Sequence, residues 1–237
     1  MSITDFILRN PALSGIRLAA LNVTSRLLAR RGLGIVSLGA EPERAPAHEI
    51  IRSIRQQVQM VLLESEAYGI YSAVRETAKL GGAIGELGVF RGGSARLICE
   101  VKGNRPLYLF DTFEGLPEVG PHDSSFRTGG FSSSSESVKQ VLKGFPDVSF
   151  HPGLFPASTE GFDEDVRFSF VHLDVDIYQS TIDGLKWFYP RMLRGAILIS
   201  HDFVEAEGVR RAFHEFFADK PECLIELTGS QVAFVKL

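Results

Sequence analysis

Long apolar runs are absent from this sequence of 237 residues. No stretch approaches the roughly 20 apolar residues that a membrane-spanning helix needs. The first apolar segment carries arginines, unlike the uninterrupted core of a secretory signal. These absences predict a cytoplasmic protein without a transmembrane segment.

Cysteine and excess positive charge are also lacking. The two cysteines, Cys99 and Cys223, lie in apolar stretches without metal-binding spacing, so we expect buried thiols in a reducing compartment. This excludes disulfide-stabilised domains and zinc fingers. With 25 Lys and Arg against 29 Asp and Glu, the net charge is -4, which argues against nucleic acid as a partner.

The chain is long enough for one domain with a sizeable core, and its first residues differ from the rest. Residues 1–46 hold six arginines and three acidic residues, so they carry +3 and the remainder carries -7. Apolar residues recur there at helical spacing: Leu13, Ile16, Ala20, Val23 and Leu27. We predict an N-terminal helical arm over 1–46 and a main domain over 47–237. The apolar stripe of the arm fits docking on the domain or on a second subunit, which favours a homo-oligomer; a membrane-surface helix is the alternative.

The main domain alternates between helical and strand patterns. A helical region is predicted from about His48 to Leu80. Short apolar runs follow at Ala83–Leu87, Leu107–Phe110, Val148–Phe150, Phe168–Leu173 and Ala196–Ile199. Strands of this kind alternating with helices predict an α/β fold, with a mostly parallel sheet covered on both faces. Runs at Cys223–Leu227 and Val232–Val235 predict a C-terminal antiparallel hairpin.

Ligands of such sheets bind beyond the carboxyl ends of the strands, so polar residues there are the candidates. A turn containing Gly88 and Gly92 follows the first strand and opens a helix, but it lacks the glycine spacing of dinucleotide binders. Glu86, just before it, would repel a pyrophosphate and could receive an ammonium group. Asp111, at the end of the second strand, could bind both hydroxyls of a ribose. Together these four residues favour S-adenosylmethionine as the ligand.

Acidic residues also follow the fourth and fifth strands. Asp174 and Asp202 would lie side by side, with His201 next to the second. Two carboxylates in one crevice repel each other unless a cation joins them, so a divalent metal is expected. Asp174 could instead cap the following helix, and His201 could be an ordinary core histidine.

Four segments, in this order and spacing, carry a resemblance to a known family: GAIGELGVFRGGSA, YLFDTFEGLP, HLDVDIYQST and ISHDF. The chain resembles the macrocin O-methyltransferase family, which methylates sugar hydroxyls of macrolide and aminocoumarin antibiotics. The similarity covers roughly residues 50–237.

The resemblance implies a Rossmann-like class I methyltransferase with a seven-stranded sheet, S-adenosylmethionine as cofactor and a magnesium site. It puts cofactor binding on Glu86, Gly88, Gly92 and Asp111, metal ligation on Asp174 and Asp202, and the general base on Asp176. Members tend to have two adjacent acids where this chain has His201 and Asp202. Since imidazole suits softer ions than magnesium, the departure bears on which metal binds.

The expected reaction is methyl transfer to a hydroxyl of a sugar or another vicinal diol, on a small molecule or a glycan. The five acids at the predicted strand ends are expected to project into one crevice: Glu86, Asp111, Asp174, Asp176 and Asp202. The long polar connection 118–131 is expected to act as a lid that lends His122, Asp123 or Arg127 to the substrate. Two alternatives remain: a glycosyltransferase using Asp174-Val175-Asp176 as a DxD motif, and a non-catalytic scaffold.

Overall fold

The computed structural model describes residues 44–237, and Glu49–Leu237 form one compact unit. The predicted arm lies outside the described residues except for its last three positions, and the boundary after residue 46 stays a prediction. No helix within 44–237 has the length and apolar character needed to cross a membrane.

Seven strands form a single sheet, as predicted. They are β1 (Ala83–Leu87), β2 (Leu107–Asp111), β3 (Val148–Pro152), β4 (Phe168–Leu173), β5 (Met192–Ser200), β6 (Ile225–Glu226) and β7 (Val232–Val235). Their order is β3-β2-β1-β4-β5-β7-β6; the first five are parallel, and β7 runs antiparallel to both β5 and β6. The predicted fold class is confirmed, and the crossover point of the sheet lies between β1 and β4.

Helices precede and connect the strands. They are α1 (Ala45–Gln57), α2 (Glu64–Glu76), α3 (Gly93–Val101), α4 (Ser135–Val141), α5 (Tyr178–Phe188) and α6 (Glu207–Phe217), with short 3-10 turns at Thr77–Leu80, Ala157–Thr159 and Tyr189–Arg191. One apolar cluster packs α1 to α4 on the sheet, and a second, rich in phenylalanine, packs α5 and α6.

The prediction of one helical region over 48–80 is wrong, because residues 58–63 separate α1 from α2. The break has a local cause: the Glu66 side chain turns back and accepts a hydrogen bond from the Leu63 backbone N–H at 2.6 Å, which caps the start of α2. Of the residues that continue the helical stripe in the sequence, Val61 is 54% exposed, whereas Leu62 is buried.

The central strands form where the sequence is most continuously apolar. Every residue of β1 and of β4 is buried, as expected for parallel strands covered on both faces. The predicted strand over 223–227 shrinks to the two residues of β6. Cys99 is buried as expected, but Cys223 is exposed because it precedes this short strand.

Candidate active site

A cavity of about 760 Å³ lies at the carboxyl ends of β1, β2, β4 and β5, within the roughly 300–1,000 Å³ typical of small-ligand pockets. Its acidic lining consists of Glu66, Asp111, Asp174, Asp176, Asp202 and Glu205. His201 also lines it, whereas no Arg or Lys of residues 44–237 does. The cavity therefore suits positively charged ligands.

Backbone hydrogen bonds continue past the strand ends and bring the loops together. The Asp174 N–H donates to the Leu87 carbonyl at 2.9 Å, and the His201 N–H donates to the Leu173 carbonyl at 3.0 Å. Gly88 has a φ of +86° and passes so close to the β4 loop that only glycine fits there. These contacts place the residues predicted at three strand ends in one cavity.

Glu86 is the exception among the five acids expected in the crevice. It is fully buried within β1 and does not line the cavity. Its Oε1 lies 2.9 Å from Nδ1 of His172, its neighbour on β4, while its Oε2 has no partner. Burial raises the pKa of Glu86, against the opposing effects of His172 and Ser94. Direct contact with a ligand ammonium stays a prediction.

The two glycines at the start of α3 differ in position. Gly92 precedes the helix with a φ of +82°, and a side chain there would meet Val138 of α4. Gly93 lines the cavity, and a Cβ on it would lie 2.7 Å from the Met60 Cβ. Gly93 thus lets the 58–63 segment pack on the amino terminus of α3, where backbone N–H groups face a ligand site.

Asp111 organises the turn after β1. Its Oδ2 accepts hydrogen bonds from the backbone N–H groups of Val89 at 2.6 Å and Phe90 at 3.0 Å, and its Oδ1 accepts one from Phe113 at 2.7 Å. A carboxylate has about four lone-pair sites, so it can still accept from a ligand. Asp111 also lines the cavity.

Asp174, His201 and Asp202 form a cluster that could hold a metal ion. One ligand atom from each lies within 4.8 Å of the others. His201 Nδ1 is 3.1 Å from Asp202 Oδ1 and 3.5 Å from Asp174 Oδ1. Two carboxylate oxygens and an imidazole nitrogen are within reach of a single divalent ion.

Charge pairing dominates the electrostatics of this cluster. Burial opposes a charge on His201, but hydrogen bonds to Asp174, Asp202 and Glu66 outweigh it and raise its pKa. Burial would raise the pKa of Asp174, but its hydrogen bond to His201 and the charge of that residue lower it. The imidazole supplies positive charge among the acids.

Asp176 lines the same cavity, but its pKa is shifted in the opposite direction to that of Asp174. Burial, the negative charges of Asp174 and Asp202 and a hydrogen bond with Asp202 raise the pKa of Asp176 to about 9. Both Asp176 and Asp202 have a φ of +62°, a conformation that aspartate tolerates better than most residues. A positive charge close to Asp176 would favour its ionised form.

Sequence reasoning missed Glu66. This residue of α2 is 2% exposed, lines the cavity, and its Oε2 lies 3.3 Å from His201 Nε2. Its pKa is lowered because hydrogen bonds from His201, Ser230 and Leu63 outweigh burial. A single glutamate in a helical pattern, 135 positions from its partner, gives no sequence signal.

The connection over 118–131, predicted to be a lid, forms part of the cavity wall and is anchored through Asp123. Asp123 is buried, and its carboxylate accepts from the Gly120 N–H at 3.1 Å and from the Tyr178 N–H at the start of α5 at 2.9 Å. None of His122, Asp123 and Arg127 lines the cavity. The segment instead contributes Ser125 and the apolar Phe126, while Phe131 at its end packs edge-on against Phe90 at 5.7 Å.

Apolar side chains ring the cavity mouth. Four that line it are strongly exposed: Val61 (54%), Leu63 (59%), Phe131 (47%) and Leu154 (56%). An acidic interior is therefore combined with an apolar entrance. Exposed apolar patches of this kind mark binding surfaces.

The strand order and a cavity at the carboxyl ends of the central strands define a Rossmann-like class I methyltransferase fold. Solved structures superimpose on it: the O-methyltransferase NovP with a TM-score of 0.67, 24% identity and coverage of 73% of this chain and 80% of that one. The O-methyltransferase TomG from Streptomyces achromogenes, in complex with S-adenosylmethionine, gives a TM-score of 0.56 at 16% identity, covering 81% and 90%.

The model of the macrocin O-methyltransferase (TylF) family matches residues 70–228, so the chain belongs to that family. A curated relative from Streptomyces olivaceus, 8-demethyl-8-(2,3-dimethoxy-alpha-L-rhamnosyl)-tetracenomycin-C 4'-O-methyltransferase, is 31% identical over 152 residues. The match covers 57% of this chain and 58% of that relative. The predicted family is confirmed.

Proposed function

We propose that the protein is an S-adenosylmethionine-dependent O-methyltransferase that acts on a sugar hydroxyl and requires a divalent metal. The observation that carries the proposal is the acidic cavity, which combines a glycine turn, a helix amino terminus and the Asp174, His201 and Asp202 cluster. Family membership and the sugar named for the Streptomyces olivaceus relative support it.

The cofactor seat lies between β1 and β2. Gly88 and Gly93 line the cavity here, and the amino terminus of α3 suits the carboxylate of the amino-acid tail. Asp111 would accept the ribose hydroxyls. Gly92 shapes the turn from behind, and Glu86 lies buried beneath it in β1, paired with His172.

Asp174, His201 and Asp202 would hold the metal, and the closeness of their ligand atoms fits one ion. When bound, the metal supplies Lewis acidity that lowers the pKa of a substrate hydroxyl. Because the set includes an imidazole, manganese, iron or cobalt suits it at least as well as magnesium.

Asp176 is the proposed general base. Burial raises the pKa of Asp176, and repulsion from Asp174 and Asp202 raises it further, so positive charge at those two carboxylates favours its ionised form. As the acceptor oxygen bonds to the methyl carbon and the carbon–sulfur bond breaks, the hydroxyl proton passes to Asp176. Alignment contributes about 7–11 kcal/mol to such transfers, and a base contributes about 10²–10⁴-fold.

The apolar entrance supports an acceptor sugar that is attached to a larger apolar group. A free sugar would leave Val61, Leu63, Phe131 and Leu154 in contact with water, whereas an aglycone would cover them and gain from burial. We therefore expect a lower KM for a glycoside than for its free sugar. Equal KM values would contradict this choice of acceptor.

Glycosyl transfer through a DxD motif fits less well. A nucleotide diphosphate would lie among six acidic side chains without an Arg or Lys from the described lining, and anionic groups need such partners. Calorimetry with S-adenosylmethionine and with a nucleotide sugar separates the two functions. We expect binding of S-adenosylmethionine and no binding of the nucleotide sugar. Turnover of the bound cofactor would then exclude a non-catalytic scaffold.

Metal dependence is tested by removing the ion. Treatment with EDTA followed by dialysis is expected to abolish methyl transfer, and added Mn²⁺ or Co²⁺ is expected to restore it at lower concentration than Mg²⁺. Full activity in EDTA would refute the metal requirement without refuting methyl transfer.

Gel filtration of the full chain tests the predicted homo-oligomer, and fractionation of the producing cells tests the predicted cytoplasmic location.

A further inference from the structure

The Glu66 carboxylate joins three parts of the cavity that are distant in sequence. Its Oε1 accepts a hydrogen bond from the Ser230 N–H at 2.8 Å, and its Oε2 accepts one from the Leu63 N–H at 2.6 Å. The same Oε2 faces His201 Nε2 at 3.3 Å. Because Glu66 is only 2% exposed, water cannot readily take the place of a lost hydrogen-bond partner.

The turn before β7 is shaped to admit this carboxylate. A Cβ on Gly229 would lie 2.1 Å from Glu66 Oε1, so a side chain at that position would push the carboxylate away. Gly229 also has a φ of +87°, which glycine adopts without strain. The position of Glu66 is therefore fixed from two sides.

The contact determines how the His201 ring is presented. An ionised carboxylate only accepts hydrogen bonds, so Nε2 must carry the hydrogen and donate it to Glu66. The other ring nitrogen, Nδ1, then faces Asp174 and Asp202 at 3.5 and 3.1 Å. A histidine that binds a metal commonly donates its second N–H to a carboxylate in this way, which fixes the ring.

We propose that Glu66 is a positioning residue, which holds His201 through Nε2 so that Nδ1 becomes the third ligand beside Asp174 and Asp202. The assignment rests on the metal site of the proposed function. A carboxylate at position 201 would face Glu66 with like charge, so the contact also favours an imidazole at this position.

The test is titration of the purified full chain with MnCl₂, with free Mn²⁺ followed by electron paramagnetic resonance. Glu66→Gln should weaken Mn²⁺ binding about 10–100-fold, because a glutamine offers one acceptor oxygen where the carboxylate offers two. Glu66→Asp, which keeps the charge but is one methylene shorter, should also weaken binding and guards against a folding failure of the first variant. Wild-type affinity in a folded variant of either kind would overturn the assignment.

Two further variants separate positioning from general stabilisation. Glu222→Gln removes a buried carboxylate outside the cavity that pairs with Lys236 and Tyr189, so it should lower the Tm and leave Mn²⁺ affinity unchanged. In a His201→Asp background, Glu66→Gln should cost no affinity, because no imidazole is left to orient. An equal loss in both backgrounds would overturn the assignment.

The outcomes also separate a failure of the Glu66 assignment from a failure of the proposed metal-dependent function. A wild-type chain that binds no Mn²⁺, Co²⁺ or Mg²⁺ would overturn both the metal site and the role of Glu66. A wild-type chain that binds Mn²⁺ while a folded Glu66 variant binds it equally well would overturn the role of Glu66 alone.

Discussion

Gly88 and Asp174 approach so closely that a Cβ on the glycine would lie 1.7 Å from the Asp174 carbonyl oxygen. The turn that follows β1 and the loop that carries two of the acids are therefore in direct backbone contact. Any side chain at position 88 must separate them, which couples the proposed cofactor seat to the proposed metal site.

Gly88→Ala is expected to weaken S-adenosylmethionine binding more than tenfold and to lower the Tm. The left-handed backbone costs about 1–2 kcal/mol for a residue with a Cβ, and the collision forces the loops apart. Calorimetry and thermal denaturation measure the two effects. Gly144→Ala, with a φ of +95° and no atom within 4 Å of its Cβ, is the matched control and should keep wild-type binding.

Asp176→Asn should reduce turnover by about 10²–10⁴-fold and change the Kd for S-adenosylmethionine less than threefold. Asparagine tolerates the same positive φ as aspartate, so the loop should keep its shape while losing its proton acceptor. Initial rates and calorimetry measure the two quantities. Near-normal turnover would remove Asp176 as the base; Asp183→Asn, in α5 and outside the cavity lining, serves as the control.

Asp123→Ala should raise the KM for the acceptor and leave the Kd for S-adenosylmethionine unchanged. The substitution removes the hydrogen bonds that hold the 118–131 wall to α5, at a cost of about 0.5–2 kcal/mol, as for loss of a helix cap. Steady-state kinetics with varied acceptor measure the change. An unchanged KM would show that the wall holds its shape without this anchor; Asp163→Ala, in an exposed turn, is the comparison.

Stability should depend on pH through Glu222. Burial acts to raise its pKa, but hydrogen bonds from Lys236, Tyr189 and the Leu237 N–H lower it from 4.5 to about 2. Because the folded pKa is below the unfolded one, the stabilisation is present above pH 4.5 and is lost as the pH falls towards 2.

Glu222→Gln should therefore lower the Tm at pH 7, and the difference from wild type should shrink between pH 4.5 and 2. Denaturation followed across this range by circular dichroism gives the comparison. A constant difference would mean that the charge of Glu222 is not the source. Glu160→Gln, at an exposed position, should leave the Tm unchanged throughout.

The parallel core of the fold could be predicted because its signal is local. Apolar runs long enough for one buried strand mark β1 and β4, and the sequence places Asp174 and Asp202 directly after such runs. The carboxyl ends of parallel strands lie at the same edge of a sheet. Acids that follow neighbouring strands are therefore expected to lie close together.

The remaining features depend on side-chain contacts that the apolar pattern does not reveal. The break between α1 and α2 is stabilised by the Glu66 side chain, and Val58, Val61 and Leu62 imitate a continuing helical stripe. Glu86 is in the predicted strand, but its pairing with His172 across the sheet is what keeps it out of the cavity. Neither feature has a spacing that a single sequence reveals.

The segment 58–66, which also lines the cavity, lies upstream of residue 70, where the family match begins. The acids at the strand ends lie within the matched range, whereas Val61 and Leu63 of the apolar entrance lie outside it. Substitutions at Val61 and Leu63 are therefore expected to alter the proposed acceptor preference without changing Glu66, the proposed metal cluster or Asp176. These two positions are the natural starting point for changing the proposed acceptor preference.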